Sequence, residues 1–388
     1  MLFGKKPDDK SRSTDGYTPE DILLALKDVK DPELHKGLVE LGMIKDVKVC
    51  GGTVGFTVVL TTPACPLKAT IEKDCKAAVM ALPGIEQVNV AWDSMVPKAR
   101  QREQQSIPGV KHVIAVASGK GGVGKSTVSV NLAAALAATG AKTGLLDCDI
   151  YGPSLPTLLG IEHTPLVVEL PNPETGEPEK KMLAATKYGL RLMSLGFLAP
   201  GDAVVMWRGP MVASAVRQML LDTYWEDLDY LVVDLPPGTG DAQMSLAQLV
   251  PLTGVAVVIT PQDLAMNIAT KALRMFETLK APILGIVENM ATFVCPYCEK
   301  ESDIFGYSGA GERQAAELGV RFLGRVPLDP RIVADSDEGT PTFIAAPDSR
   351  PAEVYRHIAS QVAAEISVQT LQKKPESQPI ELILNPGN

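Results

Sequence analysis

The run Gly119-Lys120-Gly121-Gly122-Val123-Gly124-Lys125-Ser126-Thr127 contains the residue types from which a phosphate cradle is built. In the spacing G-x-x-x-x-G-K-[ST], small glycines let backbone N–H groups wrap phosphate oxygens. The lysine that follows meets the outer phosphates, and the next hydroxyl faces Mg²⁺. Gly119, Gly121 and Gly124 also satisfy G-x-G-x-x-G, the signature of a dinucleotide site. Lys125-Ser126 directly after the last glycine favours a nucleoside triphosphate, because a dinucleotide turn has no use for that pair. An apolar, β-rich run precedes the loop at residues 113–117, and residues 128–138 read as a helix. Strand, loop and helix therefore follow in the order the motif demands.

Carboxylates occur where a bound triphosphate would project. Leu145-Leu146-Asp147-Cys148-Asp149 ends an apolar run with two aspartates, oxygen groups suited to hard Mg²⁺ or to polarising an attacking water. Asp149 is the candidate for positioning that water. Tyr230-Leu231-Val232-Val233-Asp234 is a second apolar strand ending in aspartate, the form of a Walker B element that holds the metal. It runs into Leu235-Pro236-Pro237-Gly238-Thr239-Gly240-Asp241, whose prolines and glycines favour a loop of defined shape that could reorder with the γ-phosphate.

A separate chemistry is offered by Cys295-Pro296-Tyr297-Cys298. A C-x-x-C pair can bind metal, exchange disulfides or do neither. One pair supplies two thiolates, whereas a closed zinc or [4Fe–4S] site wants four ligands, and the chain has no second C-x-x-C. A two-fold dimer resolves the arithmetic, since Cys295 and Cys298 of each subunit give four soft ligands at one interface; on ligand count zinc stays open. A thioredoxin-type role fits less well, because Cys295 does not open a helix directly after a strand, the placement that lowers a thiol pKa.

The surrounding pattern indicates how these residues are positioned. From residue 111 apolar runs near 112–118, 143–147, 230–234, 254–260, 283–288 and 320–326 alternate with amphipathic stretches. That alternation predicts an α/β fold, a mainly parallel sheet with helices on both faces and ligands at the carboxyl ends of strands. Ahead of it, residues 16–95 read as a small α+β unit: a helix capped by Thr18 with Pro19 in its first turn, a hairpin around Gly51-Gly52, a helix over 68–82 and a strand over 85–92. A polar stretch at 96–110 reads as a linker before the larger unit, 111–365. Residues 1–15 and 366–388 are polar and aperiodic and read as disordered tails.

Composition narrows the classes. Hydrophobic residues make up 45% and charged residues 21% of 388, as in a globular protein with ample core. No apolar run nears the ~20 residues of a membrane span, and the start lacks a leader's apolar region, so a cytoplasmic protein without a membrane partner is expected. The net charge of −9 argues against a nucleic-acid partner. Six cysteines in this length are no disulfide framework. Cys50 and Cys148 lie in apolar β-like segments and read as core residues, as does Cys75 on its helix.

Lys120, which a lone P-loop does not need, resembles the signature lysine of the deviant Walker A ATPases. The resemblance implies that it reaches the partner's phosphates in a face-to-face dimer. With Asp147-Cys148-Asp149-Ile150-Tyr151-Gly152-Pro153-Ser154, the segment 234–241, Val287-Glu288-Asn289-Met290 and the cysteine pair, residues 110 to about 365 resemble the Mrp/ApbC-type iron–sulfur carrier ATPases. The resemblance implies a homodimer that binds and hydrolyses ATP with Mg²⁺, the P-loop, Asp147, Asp241 and Asn289 touching the nucleotide and Asn289 its adenine. It also implies a labile [4Fe–4S] cluster bridging Cys295 and Cys298, exchanged with scaffold proteins and apo iron–sulfur proteins. The N-terminal unit is similar to a domain of other iron–sulfur assembly factors through Asp31-Pro32-Glu33-Leu34, Leu41-Gly42-Met43-Ile44 and Leu60-Thr61-Thr62-Pro63-Ala64-Cys65-Pro66. Cys65 there is a candidate reactive thiol or transient ligand, or an ordinary loop cysteine. The competing class is a spatial organiser like MinD or ParA, which shares the loop and acts on a membrane or DNA but gives the cysteine pair no task.

Overall fold

The long apolar runs become the centre of one sheet. In a computed structural model describing residues 17–50, 52–96, 106–149, 152–162, 164–172, 176–198, 209–238, 241–295, 297–298, 300–305 and 309–372, eight strands lie side by side. Their order is Phe322–Arg325, Ile283–Glu288, Gly254–Ile259, Val110–Ala117, Leu228–Asp234, Thr143–Asp147, Leu190–Ser194 and Ala185–Lys187. Every pairing is parallel except the last. Val113 to Ala117 are inaccessible to solvent, as strands covered on both faces must be.

The chain leaves Val110–Ala117 towards Thr143–Asp147 through the helix Lys125–Ala138, and later works outward on the other side through Asp263–Thr278 and Ala310–Glu317. Right-handed crossovers in opposite directions put these helices on opposite faces. The reversal opens a crevice at the carboxyl end of Val110–Ala117, the place where ligands settle on such sheets.

Some of the architecture departs from the sequence reading. The strand Leu190–Ser194 was not expected; its inner positions are buried because it pairs with Thr143–Asp147. A three-stranded sheet of Val167–Pro171, Pro178–Leu183 and Thr223–Tyr224 is likewise additional. The helix Arg350–Gln372 runs beyond residue 366, where a tail was expected, because Ile366 and Ser367 remain buried against the body. Val96 and Ile107, at either end of the expected linker, are buried in the main core. Residues 1–16, most of that linker and 373–388 lie outside the described residues.

The small unit forms a separate core around Ile22, Leu26, Leu38, Phe56, Ile71, Cys75 and Val79. Its first helix, Pro19–Ala25, starts on a reciprocal cap between Thr18 and Asp21. Strands Ile44–Cys50 and Thr53–Leu60 form the hairpin, and Gln87–Ser94 pairs parallel to the latter by way of the helix Lys68–Met80. Cys50, expected in the core, is exposed, because its strand lies at the sheet edge with alternate residues facing water.

This unit is seated at the strand-entry end of the main sheet. Tyr230 donates its hydroxyl to Thr62 Oγ1 at 3.1 Å, and Ala64 packs into the large core. Burial raises the Glu33 carboxyl above its ordinary value against the pull of Arg321, and Arg321 directly precedes the strand Phe322–Arg325.

Candidate nucleotide and thiol sites

Residues 118–124 leave the sheet between Val110–Ala117 and the helix Lys125–Ala138, so the glycine loop lies at the crevice. Gly121 and Gly122 are exposed, with open space where a Cβ would stand, leaving their backbone free to approach a ligand. Gly124 is constrained instead. Its φ is +78°, and a Cβ there would lie 2.3 Å from Asn289 Nδ2. That amide donates to Val123 O at 2.7 Å, so Asn289 braces the loop from the end of the strand Ile283–Glu288.

Behind the loop, one carboxylate gathers three donors. Asp234 Oδ1 accepts from Lys125 Nζ at 2.7 Å and from Ser129 Oγ at 2.8 Å, and Oδ2 accepts from Ser126 Oγ at 2.5 Å. The Lys125 and Asp234 side chains are 5% and 4% exposed; a charge this buried needs a partner. Asp149 approaches the same amine at 3.9 Å. Lys125, Ser126, Asp149 and Asp234, named from widely separated segments, therefore converge.

Asp147, expected among the nucleotide contacts, has hydrogen bonds from its own chain on both carboxylate oxygens. Oδ1 accepts the Asp149 N–H at 3.0 Å, and Oδ2 accepts the Leu155 N–H and Ser194 Oγ at 3.1 Å each. Burial first, and the neighbouring Asp234 second, push its carboxyl up to about 7. It is a brace for the turn that carries Asp149. Thr127 contributes its carbonyl to Asn131 Nδ2 at 2.9 Å, and Asp241 opens the helix Asp241–Leu249. Lys120 Nζ donates to Gln262 Oε1 at 2.9 Å. Thr239, Gly240, Ile150 and Tyr151 lie outside the described residues.

Sequence reasoning missed Ser129, Ser194 and Gln262. Ser129 had a legible signal, one helical turn after Lys125 and thus on the same face. Ser194 and Gln262 gave none, since only the sheet order brings them to the crevice.

The cysteine pair lies at a two-stranded hairpin, Phe293–Val294 with Glu301–Ser302, closed by the Cys295 N–H to Lys300 O at 3.0 Å. The N–H of Tyr297 above all, then the N–H and side chain of Cys298, hold the Cys295 thiol below its ordinary value, which favours a ligating thiolate. Tyr297 between them is 95% exposed. Among the described residues no group of three or more His, Cys, Asp or Glu side chains is set to hold a metal ion, so no third ligand of those types joins these thiols among the described residues. Cys65 differs: burial pushes its thiol up, only partly opposed by the Leu67 backbone, the opposite of what a reactive thiol needs. Among the described residues no helix is long and apolar enough to cross a membrane.

Residues 109–363 match the family described as NUBPL iron-transfer P-loop NTPase, and residues 19–92 match the one described as iron–sulfur cluster assembly protein. An iron–sulfur cluster carrier protein of Synechocystis sp. is 47% identical over 356 residues, spanning 91% of this chain and 99% of that one. One from Escherichia coli (strain K12) is 42% identical over 344 residues, spanning 88% and 90%. Among solved structures, the nucleotide-binding protein of Archaeoglobus fulgidus in complex with ADP superposes with a TM-score of 0.51 at 36% identity, covering 60% of this chain and 88% of that chain.

Proposed function

The chain belongs to the family of NUBPL-type iron-transfer P-loop NTPases, and from that premise we propose that it is a homodimeric ATPase which carries a [4Fe–4S] cluster on Cys295 and Cys298 of both subunits and delivers it to apo iron–sulfur proteins. The observation that carries this reading is the thiol pair of an exposed Cys298 and a half-buried Cys295, the latter biased towards thiolate. A soft metal core that takes four ligands fits two such pairs better than one.

On the nucleotide side, Lys125 leaves Asp234 for the outer phosphates when ATP enters, because phosphate offers it a charged, less enclosed acceptor. Ser126 Oγ and the vacated Asp234 carboxylate are then the oxygen pair suited to Mg²⁺, with Asp234 acting directly or through a water. Mg²⁺, when bound, neutralises charge developing on the transferred phosphoryl group. Asp149, held by Asp147, orients the attacking water, and Asn289 keeps the loop in register beside the adenine. Lys120 supplies positive charge to the partner's phosphates. Hydrolysis is coupled to loading or release of the cluster through the loop after Asp234.

The test is anaerobic reconstitution of full-length Cys295→Ser/Cys298→Ser. The variant is expected to lose the iron-dependent visible absorbance while binding ADP like the parent. Undiminished absorbance, or iron and sulfide bound in full by a monomer, would remove the assignment.

A further inference from the structure

The two lysines of the loop are held by different kinds of acceptor. Lys125 lies among buried carboxylates. Lys120 Nζ instead donates to an uncharged amide oxygen, Gln262 Oε1, across 142 positions of sequence. That oxygen also accepts Thr260 Oγ1 at 3.1 Å, and Thr260 is buried just beyond the strand Gly254–Ile259. Gln262 is the N-cap residue of the helix Asp263–Thr278, yet its side chain makes no capping hydrogen bond. Its amide is turned to the lysine rather than to its own helix.

The backbone of Lys120 is tied on the opposite side. Ser118 Oγ donates to Lys120 O at 2.9 Å, and Ser118 O accepts the Gly238 N–H at 3.0 Å. Gly238 belongs to the loop that follows Asp234. Lys120 is thus moored by its amine to one neighbouring strand end and by its peptide to another.

We propose that Gln262 is a positioning residue, which keeps Lys120 inside its own subunit until bound triphosphate and a second subunit draw it out. The inference rests on the reading that Lys120 acts across a subunit pair. A neutral oxygen is the appropriate acceptor for such a hold. A hydrogen bond from an ammonium to an amide is weaker than one to an ionised oxygen, so phosphate outcompetes it readily, whereas a carboxylate in the same place would compete with phosphate and slow the release of the lysine. Thr260 fixes the direction of the amide oxygen, so the lysine is localised without being trapped.

Gln262→Glu and Gln262→Ala, each alone and combined with Lys120→Ala in full-length protein, test this. ATP hydrolysis is followed at saturating nucleotide, subunit pairing by sedimentation with ATP, and ADP binding by titration as a check that each variant is folded. Gln262→Glu should lower kcat roughly tenfold and weaken ATP-dependent pairing, leaving ADP affinity within about twofold of the parent. Gln262→Ala should pair with ATP at lower protein concentration than the parent. In the Lys120→Ala background neither change at 262 should have any further effect. If the losses from Gln262→Glu and Lys120→Ala multiply, Gln262 acts by a route other than the lysine and the proposal is wrong. If Lys120→Ala alone leaves pairing and hydrolysis intact, the action of Lys120 in trans fails and the hold at Gln262 falls with it. Loss of absorbance in the cysteine variants is independent of either result.

Discussion

Replacing Asp234 by alanine removes the acceptor for Lys125, Ser126 and Ser129 together and leaves an ammonium only 5% exposed without its 2.7 Å partner. Breaking a buried pair from one side costs about 3–5 kcal/mol. Asp149, at 3.9 Å, offsets part of this, which places the expected loss near the lower end, about 3 kcal/mol. For a domain of this size that is a fall of roughly 6–12 °C in Tm. Removing the lysine as well should recover part of the loss, since no lone cation then remains. The double variant Lys125→Ala/Asp234→Ala is expected to be more stable than Asp234→Ala by about 1 kcal/mol or more. ATP added in excess EDTA should raise the Tm of Asp234→Ala more than that of the parent, because phosphate meets an amine that has no ion pair to break. Differential scanning calorimetry of the three proteins decides the matter. An Asp234→Ala protein as stable as the parent, or a double variant that is worse than the single, would refute the argument that the pair is a buried charge couple awaiting phosphate.

Two further outcomes follow from the same site. Asp147 titrates at about 7 in the fold and near 3.9 when unfolded, so its contribution to stability is fully present below about pH 4 and is lost as pH rises through about 7. Asp147→Asn should therefore show a smaller decline in urea midpoint from about pH 5 to about pH 8 than the parent, and parallel pH profiles would contradict this. Gly124→Ala combines a positive φ with a Cβ directed at Asn289 Nδ2; the backbone cost of ~1–2 kcal/mol should weaken ADP binding roughly tenfold by calorimetric titration, and unaltered affinity would show that the loop tolerates the change.

The central strands were legible because both of their faces are covered, which leaves uninterrupted apolar runs such as 113–117 and 254–259. The strand Leu190–Ser194 was not, since Arg191 breaks its run and only pairing to Thr143–Asp147 buries the rest. Pro171 and Pro178, with exposed residues alternating with half-buried ones, concealed the small added sheet in the same way. At the site, residue types gave Lys125, Ser126, Asp149 and Asp234 their shared location, because the motif fixes which strand ends meet the loop. They did not give orientation. Asp147 and Asp149 look alike in sequence, and it is the N–H groups of Asp149 and Leu155 with the Ser194 hydroxyl that hold the first inward. Cys50 and Cys75 both sit in elements of the small unit; a sheet-edge position exposes the first, while the second is buried where its helix faces the small core.

The docking of Thr62 on Tyr230 has a consequence for assembly. Tyr230 lies near the entry of the strand whose exit is Asp234, about 13 Å further on at the usual rise of ~3.3 Å per residue. In the proposed pairing through the phosphate-bearing ends, the small units would be carried on the distal flanks, clear of the seam. Cargo would then be gripped at the middle of the pair, with both outer poles open to visitors.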